Sequence, residues 1–372
     1  MIVTRTFNWG KIKYYSISGK LEIFKDGEVL SNQDAFACLD EMIFPFKAKF
    51  FVTTRCNHKC FYCFADRKRF GASSLSTDSI FKLIDNISAA GTFLLEIFGG
   101  EPFIRKDVFE ILDYLQHKNI IVSIFTNGTL VDETKFDKLA QYSNINLIST
   151  TLFSMDSALH DQLTRSQGSF LKTMEFLRIS KKYKIPIRCS LTVTNQNLTG
   201  ALEVIDFVVN NGFQLGFGYG IIPYENLDKI PCSDIKLNRH QLAQLFVEIQ
   251  KKYPQFHNKN RIPDCSGGKH GYTIDAEGYL TACAAVPLRY GDLKQTPLKE
   301  LFNKDILIPL KEKFFTIPSK CKECEASHYC SDSFCPAVSQ KAGGDNTTPA
   351  YEFCELAFAI HNTLKEAVSY EN

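Results

Sequence analysis

The chain has 372 residues, 44% apolar and 23% charged, and its 43 Lys and Arg against 41 Asp and Glu leave a net charge of +2. That length allows two or three domains with a sizeable core, and the near-balance of charge excludes a broad basic footprint for nucleic acid. No apolar run is long enough for a membrane span, and the N-terminal MIVTRTFNWGKIKYYSI lacks the apolar segment of a secretion signal, so a soluble cytoplasmic protein is expected. The 13 cysteines are an odd number without an export signal, which argues against a disulfide framework and for metal or redox chemistry. Cys38, Cys189 and Cys232 stand alone and read as small buried apolar residues, whereas the others form an early and a late group.

Residues 1–47 read as a small appendage. KIKYYSI and KLEIF flank Ser18-Gly19 as a hairpin, Lys25-Asp26-Gly27 is a second turn, and Asn32 to Met42 predicts a short helix. From 48 to 225 strand and helix patterns alternate. Strands are predicted at Phe50–Thr54, Phe93–Phe98, Ile120–Phe125, Ile145–Phe153, Ile187–Val193 and Gln214–Ile222. Helices are predicted near Thr77–Ala90, Lys106–His117, Asp132–Tyr142, Ser169–Lys182 and Thr199–Asn210, with Ser76-Thr77 as a start signal and Asn211-Gly212 as a stop. This order implies an α/β fold with a parallel sheet, whose C-terminal strand edge is where ligands bind. Residues 226–260 read as a linker followed by a helix at His240–Tyr253. Residues 261–372 are loop-rich, with metal ligation expected to replace part of a core, and they end in a helix at Tyr351–Ser369.

The first predicted strand runs into KFFVTTRCNHKCFYCFADRKRF, where Cys56, Cys60 and Cys63 are spaced C-x3-C-x2-C. Three thiols can converge on one inorganic centre but cannot close it, because structural zinc and four-iron clusters ordinarily take four ligands. His58, two residues from both Cys56 and Cys60, is badly spaced to complete a tetrahedron. A zinc site, a redox thiol pair, and a four-iron cluster with one iron open to a small chelate all remain as readings. The next strand ends carry Gly99-Gly100-Glu101-Pro102, then Thr126-Asn127-Gly128-Thr129-Leu130, then Phe153-Ser154-Met155-Asp156 with His160-Asp161 and Arg165. Taken separately these are turn and cap residues. Together, at successive strand ends, they resemble the radical S-adenosylmethionine (SAM) enzymes.

The resemblance implies a partial (β/α)6 TIM-like barrel. Cys56, Cys60 and Cys63 would hold a [4Fe-4S] cluster whose open iron takes the methionine end of SAM. Tyr62 would lie against adenine, Gly99, Gly100 and Glu101 would meet the methionine amino group, Asn127 would belong to the cofactor site, and Ser154 and Arg165 would hold ribose and carboxylate. The Ser154–Arg165 spacing is one residue shorter than the family's usual form. The late cysteines, Cys265, Cys283, Cys321, Cys324, Cys330, Cys335 and Cys354, with Gly278 ahead of Cys283, are similar to the SPASM extension of this family. By that likeness Cys321, Cys324, Cys330 and Cys354 would close one auxiliary [4Fe-4S] cluster, and Cys265, Cys283 and Cys335 would hold a second. Where relatives with a closed inner cluster carry a further cysteine, this chain has Gly271, which implies a second open iron. A spacing of four residues rather than three before Cys335 departs from the pattern.

The implied activity is radical oxidation of a peptide: thioether or carbon–carbon cross-linking of a ribosomally synthesised precursor, or conversion of a sulfatase Cys or Ser to formylglycine. Sulfatase-maturing relatives carry an Asp immediately after the second SPASM cysteine, where this chain has Ala284, and that favours the first activity. Asp275 and Glu277, flanking Gly278, read as turn residues rather than catalysts. Lys59, Arg67, Lys68 and Arg69 beside the first cysteines would suit an acidic flavodoxin- or ferredoxin-type electron donor or an acidic leader peptide, though a solvated loop accounts for them equally well. The appendage is too short for a complete peptide-recognition winged helix, so a separate leader-binding partner is a further expectation. The reading from another class is a zinc-stabilised binding protein. Anaerobic purification separates them: iron and sulfide with a brown colour are expected, and a colourless protein holding only zinc would end the enzyme reading.

Overall fold

Lys47–Phe51 (β5) is a strand because its side chains alternate between two environments. Ala48 and Phe50 are fully buried on one face, and Lys47, Lys49 and Phe51 stand on the other. The same division holds along β6 (Leu94–Phe98), β7 (Ile121–Phe125), β8 (Ile145–Thr151), β9 (Ile187–Val193) and β10 (Gln214–Tyr219). All adjacent pairs from β5 to β10 are parallel. The computed structural model describes residues 2–7, 10–15, 20–25, 27–30, 45–61, 63, 75–219, 239–253, 271–284, 286–302, 319–327, 345, 348 and 351–369. The expected short helix over Asn32–Met42 lies outside them.

Helices return the chain between strands: α1 (Thr77–Ala89), α2 (Val108–His117), α3 (Glu133–Leu139), α4 (Ser157–Thr164), α5 (Ser169–Ser180) and α6 (Ala201–Asn210). Ser76 caps α1 by accepting from the Ser79 amide, and Asp132 caps α3 by accepting from Lys135. The apolar faces of these helices, Ile80, Leu83, Ile84 and Ile87 on α1 for example, pack on the outward residues of the strands in one continuous core. Two features differ from the sequence expectation. The α4 helix forms where only site motifs were read, capped by Asp156 through the Ala158 and Leu159 amides. The strand predicted at Phe50–Thr54 begins at Lys47 and leaves the regular ladder after Phe51.

Among the described residues the six-stranded sheet does not close. Its β10 edge ends the order, and its β5 edge continues into β11 (Gly271–Ile274), β12 (Tyr279–Cys283) and β13 (Val286–Asp292). β11 is parallel to β5, β12 antiparallel to β11, and β13 antiparallel to β12. A region expected to be loop-rich thus contributes three strands to the same sheet. The turn between β11 and β12 depends on Asp275, whose Oδ1 accepts from the Glu277 and Tyr279 amides, and on Gly278 at φ +89°. Asp275 and Glu277 are accordingly occupied, Asp275 with Arg289 at 2.7 Å and Glu277 with Arg289 at 2.6 Å. Burial raises the Asp275 carboxyl against the lowering effect of those amides and Arg289.

The amino-terminal strands β1 (Ile2–Phe7), β2 (Gly10–Tyr15), β3 (Lys20–Lys25) and β4 (Glu28–Val29) form a separate antiparallel sheet in sequence order, with Ile12 opposite Ile23 and both buried. The expected hairpin is β2–β3; β1 adds a strand that was not expected. Helix α7 (Arg239–Lys252) packs against α10 (Tyr351–Ser369), with the short α8 (Leu298–Leu301) and α9 (Ser319–Lys322) between them in the chain. Among the described residues no helix is long and apolar enough to cross a membrane.

One side chain clasps the late strands to the first helix. Asn86 on α1 donates through Nδ2 to the Leu293 and Thr296 carbonyls at 2.8 and 2.9 Å, and its Oδ1 accepts from the Leu298 amide at 2.7 Å. Asn86→Ala leaves three backbone groups without this partner, so a loss of about 2 kcal/mol is expected from denaturant unfolding, with an unchanged slope.

Candidate active site

The cysteine loop is built as a continuation of β5 beside β6. Beyond Phe51 the Val52 amide still donates to Phe98 O (3.0 Å), the Gly100 amide to Thr53 O (2.8 Å) and the Glu101 amide to Arg55 O (2.8 Å). Backbone therefore runs against backbone right up to Cys56. A Cβ at Gly99 would lie 2.8 Å from Thr53 O, and one at Gly100 would lie 2.2 Å from Arg55 O and 2.8 Å from Cys56 Cβ. Here the glycines are required by space.

Glu101 is completely buried. One oxygen accepts from the Phe103 amide (3.0 Å) and the Thr126 hydroxyl (2.8 Å), the other from the Asn127 amide (2.7 Å). The carboxylate thus ties the β6 end to the β7 end. Burial pushes its pKa up to about 7, although all three hydrogen bonds favour the charged form. Asn127 in turn donates to Asn57 Oδ1 at 2.8 Å, lies 3.9 Å from Cys56 Sγ, and accepts from the Thr129 amide and hydroxyl. Asn57 closes the ring by donating to Thr129 Oγ1 at 2.9 Å.

A third support comes from the end of α4. The Lys59 and Phe61 amides donate to the Thr164 and Leu163 carbonyls at 3.2 and 3.3 Å, using helix-end acceptors that have no partner within the helix. Arg165 caps this helix in the left-handed region at φ 50°, near enough to Cys60 for its charge to favour the thiolate. Ser154 is buried and accepts from the Asp156 amide at 3.0 Å. The His160-Asp161 pair is structural. Asp161 accepts from Gly168, Ser169 and Phe170 at the start of α5, and His160 Nδ1 accepts from the Phe153 amide at 3.3 Å. Burial pulls the His160 pKa down to about 4, keeping it a neutral acceptor. His58 is buried with Nε2 3.5 Å from Thr129 Oγ1, turned to the protein interior.

Cys56, Cys60 and Cys63 are all free thiols. Burial, and then Glu101 and Cys63, push Cys56 up to about 11; burial followed by Cys63 and Cys56 pushes Cys60 up to about 12. The three thus lie within each other's electrostatic reach, and Cys56 and Cys60 carry protons that a metal would displace. Among the described residues no three His, Cys, Asp or Glu side chains gather tightly enough for a single metal ion. In an iron–sulfur cube each thiolate takes a different iron and the thiolates stand further apart. Thr54 Oγ1 beside this loop is buried with no partner among the described residues. Free thiols, an orphan hydroxyl and a glycine cradle fit a cluster with a small ligand. Tyr62 and Arg67–Arg69 lie outside the described residues; Lys59 is exposed.

Of the late cysteines, Cys283 ends β12, while Cys321, Cys324 and Cys354 are free thiols that also come together. Burial and then Cys354 and Cys324 push Cys321 up to about 11. Cys265, Cys330 and Cys335 lie outside the described residues, as do Cys38 and Cys232. Cys189 is buried on the helix-facing side of β9, as a small apolar residue would be.

Asn57 and Arg105 carry no site signal in the sequence, and Thr126 and Thr129 enter there only as members of the Thr126–Leu130 run. Arg105 donates through Nη1 to the carbonyls of both Val52 (3.1 Å) and Leu75 (3.0 Å), and Asp107 holds its other nitrogens. The only sequence signal for this clamp was an R-x-D spacing after Pro102.

An open parallel sheet with a free-thiol loop and glycine cradle at its C-terminal edge defines a metal-cluster α/β enzyme. Residues 50–208 match the model of the Radical SAM superfamily, and residues 265–325 that of the SPASM iron–sulfur cluster-binding domain. The chain carries a radical SAM domain followed by a SPASM domain. It is 25% identical over 306 residues to the antilisterial bacteriocin subtilosin biosynthesis protein AlbA of Bacillus subtilis, spanning 80% of this chain and 66% of AlbA. Identity to the AdoMet-dependent heme synthase of Methanosarcina barkeri is 24%, over 79% of this chain and 92% of that protein. Streptococcus suis SuiB bound to precursor peptide SuiA shares the fold at TM-score 0.68 and 16% identity, covering 95% of this chain and 98% of SuiB.

Gly100→Ala forces backbone apart at the cysteine loop at a cost of about 1–3 kcal/mol. Reconstituted protein is expected to hold markedly less iron and sulfide. Gly200→Ala, where nothing lies within 4 Å of the new methyl, should match wild type in both.

Proposed function

We propose that this enzyme oxidatively modifies a ribosomally synthesised peptide, forming a thioether or carbon–carbon cross-link. The observation that carries the reading is the similarity to a bacteriocin biosynthesis protein across 80% of the chain. The fold shared with SuiB in its peptide-bound form supports it.

Cys56, Cys60 and Cys63 would hold the SAM-binding [4Fe-4S] cluster, and the late cysteines two auxiliary ones. When bound, cluster and SAM supply the 5′-deoxyadenosyl radical that abstracts a substrate hydrogen. The chain's own residues would do the positioning. Gly99 and Gly100 bring bare backbone to the methionine end, and Glu101 fixes that backbone against Asn127. Ser154 and Arg165 would face ribose and carboxylate. The Phe51, Phe98 and Phe125 rings, with centroids 5.7 and 4.1 Å apart, form a dry wall beside them on the inner face.

The formylglycine reading is not favoured. Ala284 follows Cys283 and packs by its methyl against Phe51 and Ala276, giving no carboxyl where that chemistry would need one. The similarity to a heme synthase makes a tetrapyrrole the competing substrate class. Precursor peptide, an external reductant and a leader-binding protein are the proposed partners. With candidate peptides, SAM and reductant, mass spectrometry is expected to find loss of two mass units and a new cross-link. An aldehyde at Cys or Ser, or turnover only of a porphyrin, would refute the cross-linking role.

A further inference from the structure

The inner face of the sheet, opposite the helices, is uneven in a way the cofactor site does not explain. On β9, Ile187, Cys189, Leu191 and Val193 belong to the outer core, so Arg188, Ser190 and Thr192 face inward. On β10, Leu215 and Phe217 pack outward, so the inward positions are Gly216 and Gly218. The last parallel strand therefore offers the inner face no side chain at these positions. A Cβ at Gly216 would lie 2.3 Å from Ser190 Oγ and 3.0 Å from Arg188 Cδ, whereas one at Gly218 would meet nothing within 4 Å. The result is a stretch of bare backbone at the β9–β10 edge, covered at Gly216 by the Ser190 hydroxyl and the Arg188 stem and uncovered at Gly218.

Arg188 lies at one end of it. By register it is paired with Ser149 on β8 and Gln214 on β10, and Ser149 is itself opposite Phe125, the residue before the Thr126-Asn127 turn. The other inward cations are engaged: Lys47 and Lys49 share Glu96 at 2.7 and 4.0 Å. Arg188 is half-buried, and its guanidinium has neither a hydrogen bond nor an ion pair among the described residues. Ser190 Oγ lies 3.3 Å from Ser149 Oγ, leaving hydroxyl capacity beside the guanidinium. An unpaired planar cation beside side-chain-free backbone, with aromatic rings across the same face, matches a carboxylate on a partly apolar substrate.

We infer that the Arg188 guanidinium, beside the bare backbone of Gly216 and Gly218, binds a carboxylate of the peptide substrate. This rests on the peptide-modifying reading for the identity of the substrate but not for the site itself. The chemistry is shared by an acidic side chain and a peptide C-terminus, and the probes separate them.

The test is the rate at which phenylglyoxal modifies Arg188, followed by peptide mass spectrometry on cluster-reconstituted, SAM-saturated protein. The probes are Ac-Gly-Glu-Gly-NH2, Ac-Gly-Gln-Gly-OH and the neutral Ac-Gly-Gln-Gly-NH2. One or both carboxylate probes should protect Arg188 at roughly tenfold lower concentration than the neutral one, the ratio for one charge-assisted contact. Protection by the glutamyl probe alone assigns a side chain; protection by the free acid alone assigns a C-terminus. Gly216→Ala, which crowds the Arg188 stem, should abolish the preference while leaving SAM affinity unchanged. Equal protection by all three probes would overturn the assignment. So would full protection by SAM alone, which would make Arg188 a cofactor residue. No readout needs turnover, so failure of peptide modification and failure of this site are separate results.

Discussion

The structure depends on one close approach of backbone to backbone. Residues 52–55 and 98–101 run side by side beyond the end of their strands, joined by three amide–carbonyl bonds and separated by no side chain at Gly99 or Gly100. Everything at the C-terminal edge is referenced to that contact. Cys56 follows directly from one limb and Glu101 from the other, and Glu101 carries the fixed position across to the β7 turn. A carboxylate wholly out of water is tolerable because three donors meet it. Its burial also explains why the Thr126-Asn127 turn is held so firmly against the cysteine loop.

The two faces of the sheet divide the labour. Outward residues are almost uniformly aliphatic and join the helices in one core, which supplies the stability. Inward residues are mixed: Lys47, Lys49 and Glu96 in one tier, aromatic rings and Arg188 in the next, glycines at the edge. Such a face would be a poor core, and it makes sense as the lining of a reaction space. The edge at β10 stays open in the described residues, whereas the β5 edge is extended by β11. The late cysteine-bearing strands are thereby in hydrogen-bonded register with the strand that leads to Cys56.

Much of this was legible because period-2 alternation and cap residues are local. The parallel strands, the α1 start at Ser76 and the glycine pair could be read within windows of a few residues. The α4 helix was hidden because Ser154 to Arg165 attracted attention as a motif, although Asp156 is an ordinary N-cap. Strands β11 to β13 were hidden by cysteine density, even though Tyr272–Ile274, the Asp275–Gly278 turn and Tyr279–Ala282 form a hairpin pattern. The Asn57–Asn127–Thr129 ring and the Arg105 clamp could not be read at all. Their partners lie 72 residues apart at Asn57–Thr129 and 53 at Arg105–Val52, and polar pairing at that range leaves no periodic trace.

The Arg105 grip has an evolutionary consequence. Because a single guanidinium holds the carbonyls of Val52 and Leu75 together, the stretch between them is closed at its neck independently of its own sequence. Loop-closure entropy grows slowly, by only about 0.6 kcal/mol per doubling of length. A change of length or charge between Cys63 and Leu75 is thus expected to cost little in closure and to leave the thiol-bearing limb anchored, so that variation in that stretch is separable from the geometry of the cysteines.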